Sequence, residues 1–134
     1  MLVKDYPFIT TRSGDIARPY LPITITNPEN ENQINVYALI DTGADECALP
    51  ASFASLLKHN LQAGYQKKIN TGNGITIAYS HTICIKAFGY FTKNVLVDFM
   101  PNLNIPLLGT KSFLSNFVLN IDYPKKTFSI IIPK

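Results

Sequence analysis

The sequence predicts an all-β chain that forms a closed or nearly closed β-barrel with one or two short helices. Short runs in which apolar and polar residues alternate recur along the chain, for example over 20–26 and 75–79. Clusters of Asn, Pro, Gly and Asp separate these runs and are typical of turns. Helical spacing of apolar residues is confined to two short stretches, 50–59 and 112–117. Short strands therefore dominate the predicted fold.

Length and composition predict a single globular domain over residues 1–134. Of these 134 residues, 46% are hydrophobic and 16% are charged, so the chain can bury a core without disulfides. Cys47 and Cys84 stand in apolar contexts, and we expect both to be small buried hydrophobes.

Charge and hydropathy exclude several classes of partner. The net charge is +3, and the only paired cations, Lys67-Lys68 and Lys125-Lys126, are expected in solvated turns. Because no basic stripe is interleaved with aromatic residues, we expect no nucleic-acid binding. The first residues lack the pattern of a signal peptide, and no apolar run has the length to span a bilayer. We therefore expect no membrane partner and a cytoplasmic location.

Three strands are predicted before residue 41. Tyr6–Thr11 is a short β-like piece, followed by a turn at 13–15. Arg18–Thr26 alternates with one apolar face, and its two prolines predict an edge strand or the start of a strand. After a polar turn at 27–32, Gln33–Ile40 returns as a strand that is buried towards its end.

This third strand stops abruptly at Asp41-Thr42-Gly43. Gly43 permits a sharp turn and a close approach of the backbone to a ligand. A carboxylate at the end of a buried strand is costly unless it is hydrogen-bonded, shares a proton or takes part in chemistry. Taken alone, however, Asp-Thr-Gly is also a common turn.

Two helices are predicted, both short. Over Pro50–His59, apolar residues fall at helical spacing and the proline stands at the start. We interpret His59 as a surface histidine whose positive charge would favour the end of the helix. The second candidate is Ser112–Phe117, within the helix-like continuation from Thr110.

A glycine-rich hairpin is predicted at 70–74, between Ile69 and the alternating run 75–79. Asn-Gly between such flanks is a strong hairpin signal. The segment is either an ordinary turn or a mobile flap over a substrate cleft, and we favour the flap. Further strands are predicted at His81–Phe88, Phe91–Phe99 and Thr127–Ile132.

Three stretches in this order resemble the markers of retropepsin-type aspartic peptidases. They are an apolar pair followed by Asp41-Thr42-Gly43-Ala44, the hairpin at 70–74, and the apolar pair with glycine in Leu107-Leu108-Gly109. The resemblance extends over about Leu21 to Ile132 and assigns no role to residues 1–20. It implies a retropepsin-like closed β-barrel, and retroviral members have Arg where Thr110 follows the glycine here.

The resemblance also implies roles for individual residues. It implies that Asp41, Thr42 and Gly43 are catalytic, with Thr42 supporting a pair of aspartates through hydrogen bonds. It implies that residues of the cleft and the flap bind the substrate: Ala44, Asp45, Asn70, Thr71, Gly72, Asn73 and Gly74. It also implies that Leu107, Leu108 and Gly109 pack behind the active-site loop and support it.

The chemistry of this family requires two carboxylates, one acting as a base on water and the other, protonated, polarising the carbonyl. The chain has one Asp-Thr-Gly, since no other aspartate is followed by Thr-Gly or Ser-Gly. The resemblance therefore implies a homodimer with a two-fold axis between two Asp41 side chains. The expected partners are a second copy and an extended peptide substrate, with no cofactor and no metal.

The principal alternative is a non-catalytic module on the same fold that binds peptides or serves assembly. A metal site made of Cys47, Cys84, His59 and His81 lacks any recognisable ligand spacing. A serine or cysteine nucleophile would need a placed histidine, and neither histidine stands in such a motif.

Overall fold

The computed structural model describes residues 1–72 and 74–134, without the side chain of Thr71. Most of this described chain is β-strand, so the prediction of an all-β fold is confirmed. The strands are β1 (Val3–Pro7), β2 (Tyr20–Thr26), β3 (Gln33–Ile40), β4 (Cys47–Pro50), β5 (Tyr65–Thr71), β6 (Gly74–Ala87), β7 (Tyr90–Met100), β8 (Leu107–Leu108), β9 (Val118–Asp122) and β10 (Thr127–Ile131). Helical structure within the described residues is limited to α1 (Ser52–Leu56) and the 3-10 turns Leu61–Ala63 and Leu114–Asn116.

The larger sheet has the strand order β2-β3-β8-β4-β7-β6-β5. Pairing also returns from β6 to β2, because Cys84–Lys86 lie opposite Thr24–Thr26. Six strands are thus connected in a ring, and β5 is attached outside it through β6. The β5–β6 hairpin therefore extends from the body of the sheet.

Two parallel pairings bring distant parts of the chain together at the centre of this sheet. β3 is parallel to β8, and β4 is parallel to β7. The two-residue strand β8 lies between β3 and β4, where Leu107 faces both Leu39 and Ala48. As a result, the loop between β3 and β4 starts and ends beside the same short strand.

In strand β2, the alternation of residues in the sequence corresponds to an alternation in burial. Leu21, Ile23 and Ile25 are buried, and the residues between them are mostly half-buried. β2 pairs with β3 along its full length but with β6 only from Thr24 onwards. The edge predicted from the prolines is therefore limited to the first half of the strand, because a proline there has no amide to donate to a second neighbour.

A second sheet has the order β1-β10-β9. Phe128 and Ile130 of β10 are buried in the core, and the Tyr6 ring packs against Phe128 with centroids 5.5 Å apart. The predicted strand Tyr6–Thr11 is wrong in position, since β1 ends at Pro7 and Ile9 makes only an isolated bridge. β4, β8 and β9 were not among the predicted strands.

The first predicted helix is correct in kind but shorter than predicted. Pro50 ends β4, where it pairs with Met100. At the other end, Lys58 has a left-handed φ of 56°, and the amide of His59 donates to the carbonyl of Ala54 over 2.9 Å. These features form a helix-terminating motif, so α1 cannot continue to His59.

The second predicted helix, Ser112–Phe117, is present only as a 3-10 turn over Leu114–Asn116 and not as an α-helix. The amides of Leu114 and Ser115 donate to carbonyls five residues back, and those of Asn116 and Phe117 to carbonyls three residues back. An α-helix needs bonds to the fourth residue back. The segment is therefore a tight turn followed by a 3-10 turn, and it buries Phe113 and Leu114.

The core consists of apolar side chains from both sheets and from α1. The largest fully buried ones are Tyr20, Phe99, Phe113, Phe128, Leu21, Ile25, Leu57, Ile83, Ile85, Leu108, Ile130 and Val97. Cys47 and Cys84 are both free thiols in the buried interior, which confirms their predicted role as small hydrophobes. No helix in the described part of the chain combines the length and apolar character needed to cross a membrane.

Candidate active site

Asp41 follows directly after β3 and is held by the strand beside it. Its backbone amide donates to the carbonyl of Leu108 over 3.0 Å, which extends the β3–β8 pairing by one residue. Its carboxylate Oδ1 accepts a hydrogen bond from the amide of Gly43 at 3.0 Å, and its carbonyl accepts one from Ala44 at 3.2 Å. The turn therefore folds around the half-buried carboxylate and fixes its direction.

Thr42 and Gly43, at the tip of this turn, are exposed. Gly43 does not have a positive φ, and a Cβ added there would meet Asp41 Oδ1 at 3.4 Å, an ordinary contact. The conformation of the single protomer therefore does not require glycine at this position. Any requirement must come from a group that approaches this surface from outside.

Gly109, in contrast, is required by the packing of the chain itself. A Cβ at this position would collide with the carbonyl group of Glu46 and lie 2.9 Å from the amide nitrogen of Cys47. The glycine amide also lies 3.4 Å from Cys47 Sγ, as donor to the sulfur. The close approach of the two backbones is possible only without a side chain.

The residues after Gly109 hold the end of the Asp41 loop. Thr110 donates to the carbonyl of Ala44 twice, from its amide at 2.8 Å and from its hydroxyl at 3.1 Å. The amide of Lys111 donates to the carbonyl of Asp45 at 2.7 Å. Its ammonium group lies 3.5 Å from a carboxylate oxygen of Glu46, and the lysine side chain is 79% exposed. Short hydrogen bonds therefore do most of the positioning here.

The predicted flap is formed by β5 and β6, which pair from Tyr65 opposite Ser80 to Thr71 opposite Gly74. Asn70 and Gly72 are exposed, and so are Gly74 and the adjacent Ile75. The prediction for Asn73, and that for the side chain of Thr71, lie outside the described residues. The backbone of the rest of the hairpin has the regular antiparallel register that the sequence predicts.

One face of the sheet leads from Asp41 to this hairpin. Strand pairing places five residues side by side on that face, which we call the cleft row: Leu39, Leu107, Ala48, Asp98 and Ser80. Leu39 shares its face with Asp41, because alternate residues of an extended chain point the same way. The opposite face, with Ile40, Leu108 and Phe99, lies in the core. In the cleft row itself, Leu39 and Leu107 are half-buried and the other three residues are buried.

Comparison with known proteins places this arrangement in a family. Residues 29–116, more than half of the chain, match the family described as gag-polyprotein putative aspartyl protease. The chain belongs to this retropepsin-like aspartic protease family. No curated protein sequence matches it at a significant level.

Solved structures of retropepsin-like proteases share the fold. A retropepsin-like aspartic protease from Rickettsia conorii is 26% identical, with a TM-score of 0.69 over 95% of this chain and 99% of that one. The EIAV protease, solved with the inhibitor HBY-793, is 23% identical, with a TM-score of 0.54 over 80% and 93%. The retroviral protease-like domain of Ddi1 from Leishmania major is 14% identical, with a TM-score of 0.61 over 90% and 97%.

Within this protease fold, the two outer sequence motifs are in direct contact. The Asp41 loop is bonded to Leu108 and Thr110, and Gly109 packs on its far end. The hairpin is separated from these motifs by β4 and β7 in the strand order. Within one protomer, the residues of the cleft row therefore lie between the Asp41 loop and the hairpin.

Sequence reasoning missed several residues of the site. Thr110 donates hydrogen bonds to the carbonyl of Ala44 in the loop. The hydroxyl of Ser112 accepts a hydrogen bond from the amide of Cys47 at 2.8 Å. Asp98 and Ser80 of the cleft row were also missed. Asp98 did carry a signal, since it is a single carboxylate inside the apolar run 95–99.

The interpretation of His59 as a surface residue is wrong. Its ring is half-buried against those of His81 and Phe99, with centroid distances of 4.7 Å and 6.0 Å. Burial, with a further contribution from His81, lowers the pKa of His59 below its usual value. Nε2 of His81 lies 2.9 Å from the carbonyl oxygen of Leu61. No cluster of three or more potential metal ligands occurs within residues 1–72 and 74–134.

Proposed function

We propose that this chain is an aspartic endopeptidase that acts as a homodimer, with Asp41 of each protomer forming the catalytic pair. The observation that carries the proposal is the built loop around Asp41, whose carboxylate is oriented by Gly43 while the loop tip remains exposed. Membership of the aspartic protease family supports the same reaction class.

The reaction is hydrolysis of a peptide bond. One carboxylate removes a proton from water, whose oxygen attacks the carbonyl carbon, while the second, protonated carboxyl donates a hydrogen bond to the carbonyl oxygen. Two carboxyls this close cannot both be ionised, so the pair holds one proton. The tetrahedral intermediate collapses when the amide nitrogen is protonated and the C–N bond breaks.

The need for a partner follows from the single Asp-Thr-Gly in the chain. A two-fold axis beside Asp41 would bring the second carboxylate and the second Thr42 to the same place. The exposed position of Thr42 and Gly43 fits contact with a second copy, and it explains glycine at a position where the protomer alone does not require it.

The substrate would be an extended peptide segment. The β5–β6 hairpin supplies an edge strand at β5, and a cleft between hairpin and loop suits main-chain hydrogen bonding with alternating side chains in pockets. Asn70, Gly72 and the backbone around Gly74 would close over the peptide, while Ala44 and Asp45 would contact it from the loop side.

A subunit-mixing experiment tests both the chemistry and the dimer. Wild type and the Asp41→Asn variant are mixed in equal amounts at constant total protein, allowed to exchange subunits, and assayed on a peptide library between acidic and neutral pH. If each active site needs one Asp41 from each protomer, activity falls to about one quarter of the wild-type value, whereas independent protomers give about one half.

The matched control is Asp122→Asn, which makes the same chemical change in β9 of the second sheet and keeps wild-type activity. Sedimentation of each protein establishes whether it is dimeric. Cleavage by pure Asp41→Asn would overturn the proposal. Peptide binding without cleavage by a wild-type dimer would instead indicate the non-catalytic binding module.

A further inference from the structure

A polar cluster, made of Lys67, Asp98 and Ser80, lies at one end of the otherwise apolar cleft row. The ammonium of Lys67 lies 2.9 Å from Oδ2 of Asp98, and the hydroxyl of Ser80 donates to Oδ1 at 2.9 Å. Asp98 is only 5% exposed. A buried carboxylate is costly unless it is both paired and hydrogen-bonded, and here each oxygen has a partner.

The position of this cluster connects it to the reaction. Asp98 and Ser80 are paired neighbours in the cleft row, which begins at Leu39 beside Asp41. Lys67 reaches Asp98 from β5, across β6, at the base of the hairpin. A peptide lying between the Asp41 loop and the hairpin would therefore pass this cluster.

Lys67 is the member of the cluster that a ligand can reach. Its side chain is 32% exposed, compared with 7% for that of Asp98. An ammonium group has three hydrogens to donate, and the ion pair with Asp98 engages it from one side only. On β6 the residue opposite Lys67 is Ala78, which is fully buried, so the lysine is the more exposed member of this pair.

We propose that Lys67 determines substrate specificity by binding a carboxylate side chain, Asp or Glu, of the peptide. This inference rests on the proposed peptidase function of the same cleft. Asp98, itself oriented by the hydroxyl of Ser80, holds the ammonium in place, so little side-chain freedom is lost when the substrate binds. Because the ammonium is more exposed than the carboxylate of Asp98, a ligand comes nearer to the positive charge, which attracts a substrate carboxylate and repels a substrate lysine.

A purely structural role for the ion pair makes a different prediction. In that case the pair only ties the edge strand β5 to β7, and its removal changes stability without changing which peptides are preferred. The ratio of rates on acidic and basic peptides separates the two roles, because a structural role does not affect it.

The test uses peptides that are identical except for Glu, Gln or Lys at one position near the scissile bond. Wild type is expected to cleave the Glu peptide at least about tenfold better than the Lys peptide in kcat/KM. In Lys67→Met this ratio falls to about one, mainly through KM, whereas Lys67→Arg retains it. The matched control is Lys68→Met, which changes the adjacent exposed lysine on the opposite face of β5 and retains the ratio.

A double variant and a binding assay distinguish failure of this inference from misfolding of Lys67→Met and from a lack of cleavage. Lys67→Met leaves Asp98 buried without its cation, so Lys67→Met/Asp98→Leu removes both charges and serves if the single variant does not fold. Binding of the same peptides to Asp41→Asn, followed by fluorescence anisotropy with and without Lys67→Met, reports selection without catalysis. Lys67-dependent binding with no cleavage by wild type would contradict the peptidase while supporting this inference. An unchanged preference in Lys67→Met, or no binding of any peptide, would overturn it.

Discussion

The backbone amide of Asp41 donates a hydrogen bond to the carbonyl of Leu108 over 3.0 Å. This bond joins two sequence motifs that are far apart in the chain and places β8 directly beside the Asp41 loop. Leu107 pairs with Leu39 before the loop and with Ala48 after it. Strand β8 therefore holds both the start and the end of the loop. The direction of the carboxylate therefore depends on the packing of a strand only two residues long.

Gly109→Ala is expected to destabilise the protein, because the new methyl group would collide with the backbone of Glu46. Overpacking of this kind costs about 1–3 kcal/mol, and more where the neighbour is backbone that cannot move aside. Urea unfolding at fixed protein concentration measures the loss. Gly72→Ala is the matched control, since nothing lies within 4 Å of a Cβ there. Equal midpoints for Gly109→Ala and wild type would contradict this packing.

Thr110→Val is expected to loosen the loop, because it removes the hydroxyl that donates to the carbonyl of Ala44 at 3.1 Å. The loss is expected to be about 0.5–1.5 kcal/mol of unfolding free energy. Thr110→Ser keeps the hydroxyl and should lose less. Lys111→Met, which removes an ion pair on a 79% exposed side chain, is expected to cost less than about 1 kcal/mol. A larger loss in Lys111→Met than in Thr110→Val would reverse this order.

The parts of the fold that the sequence predicts well are those determined by local patterns. Gln33–Ile40 has the predicted bounds of β3, and the β5–β6 hairpin pairs at its predicted position. Both depend on alternation and turn chemistry within a few residues. The Asp-Thr-Gly loop is likewise visible because its strand and turn are contiguous.

The parts that could not be predicted depend on contacts between distant segments. β8 is too short to show any periodicity, and only its pairing with β3 and β4 defines it as a strand. The second helix is limited to a 3-10 turn, and the amides of Thr110 and Lys111 before it are bonded to the Asp41 loop. Asp98 is unusual in sequence, but its partner Lys67 belongs to another hairpin strand, and no local pattern joins them.

Asn27→Ala is expected to weaken the connection between the β2–β3 turn and α1. The side chain of Asn27 is fully buried, donates to the carbonyl of Leu57 at 2.9 Å and accepts from the amide of Glu29 at 3.0 Å. Leaving these groups without a partner costs about 1–3 kcal/mol. Asn35→Ala, which changes an exposed asparagine bonded to Thr24, is the control and should shift stability by no more than about 0.5 kcal/mol. Comparable losses in the two variants would contradict the assigned role of burial.

Acidification is expected to destabilise the protein through His59. Its pKa in the folded protein is lowered, first by burial and then by the neighbouring His81, while Glu29 acts in the opposite direction. The folded state therefore binds fewer protons than the unfolded state between the lowered pKa and the ordinary value of 6.5. Stability due to this residue is complete above pH 6.5 and is lost as the pH falls through that window.

His59→Phe isolates this contribution, since the phenyl ring can pack on Phe99 without taking up a proton. Urea midpoints of wild type and variant are compared at half-unit steps from pH 7.5 to pH 5, at one protein concentration. Wild type should lose stability more steeply below pH 6.5, by less than about 1.4 kcal/mol per pH unit because a half-buried ring is partly screened by water. Parallel curves for the two proteins would show that His59 titrates alike in the folded and unfolded states.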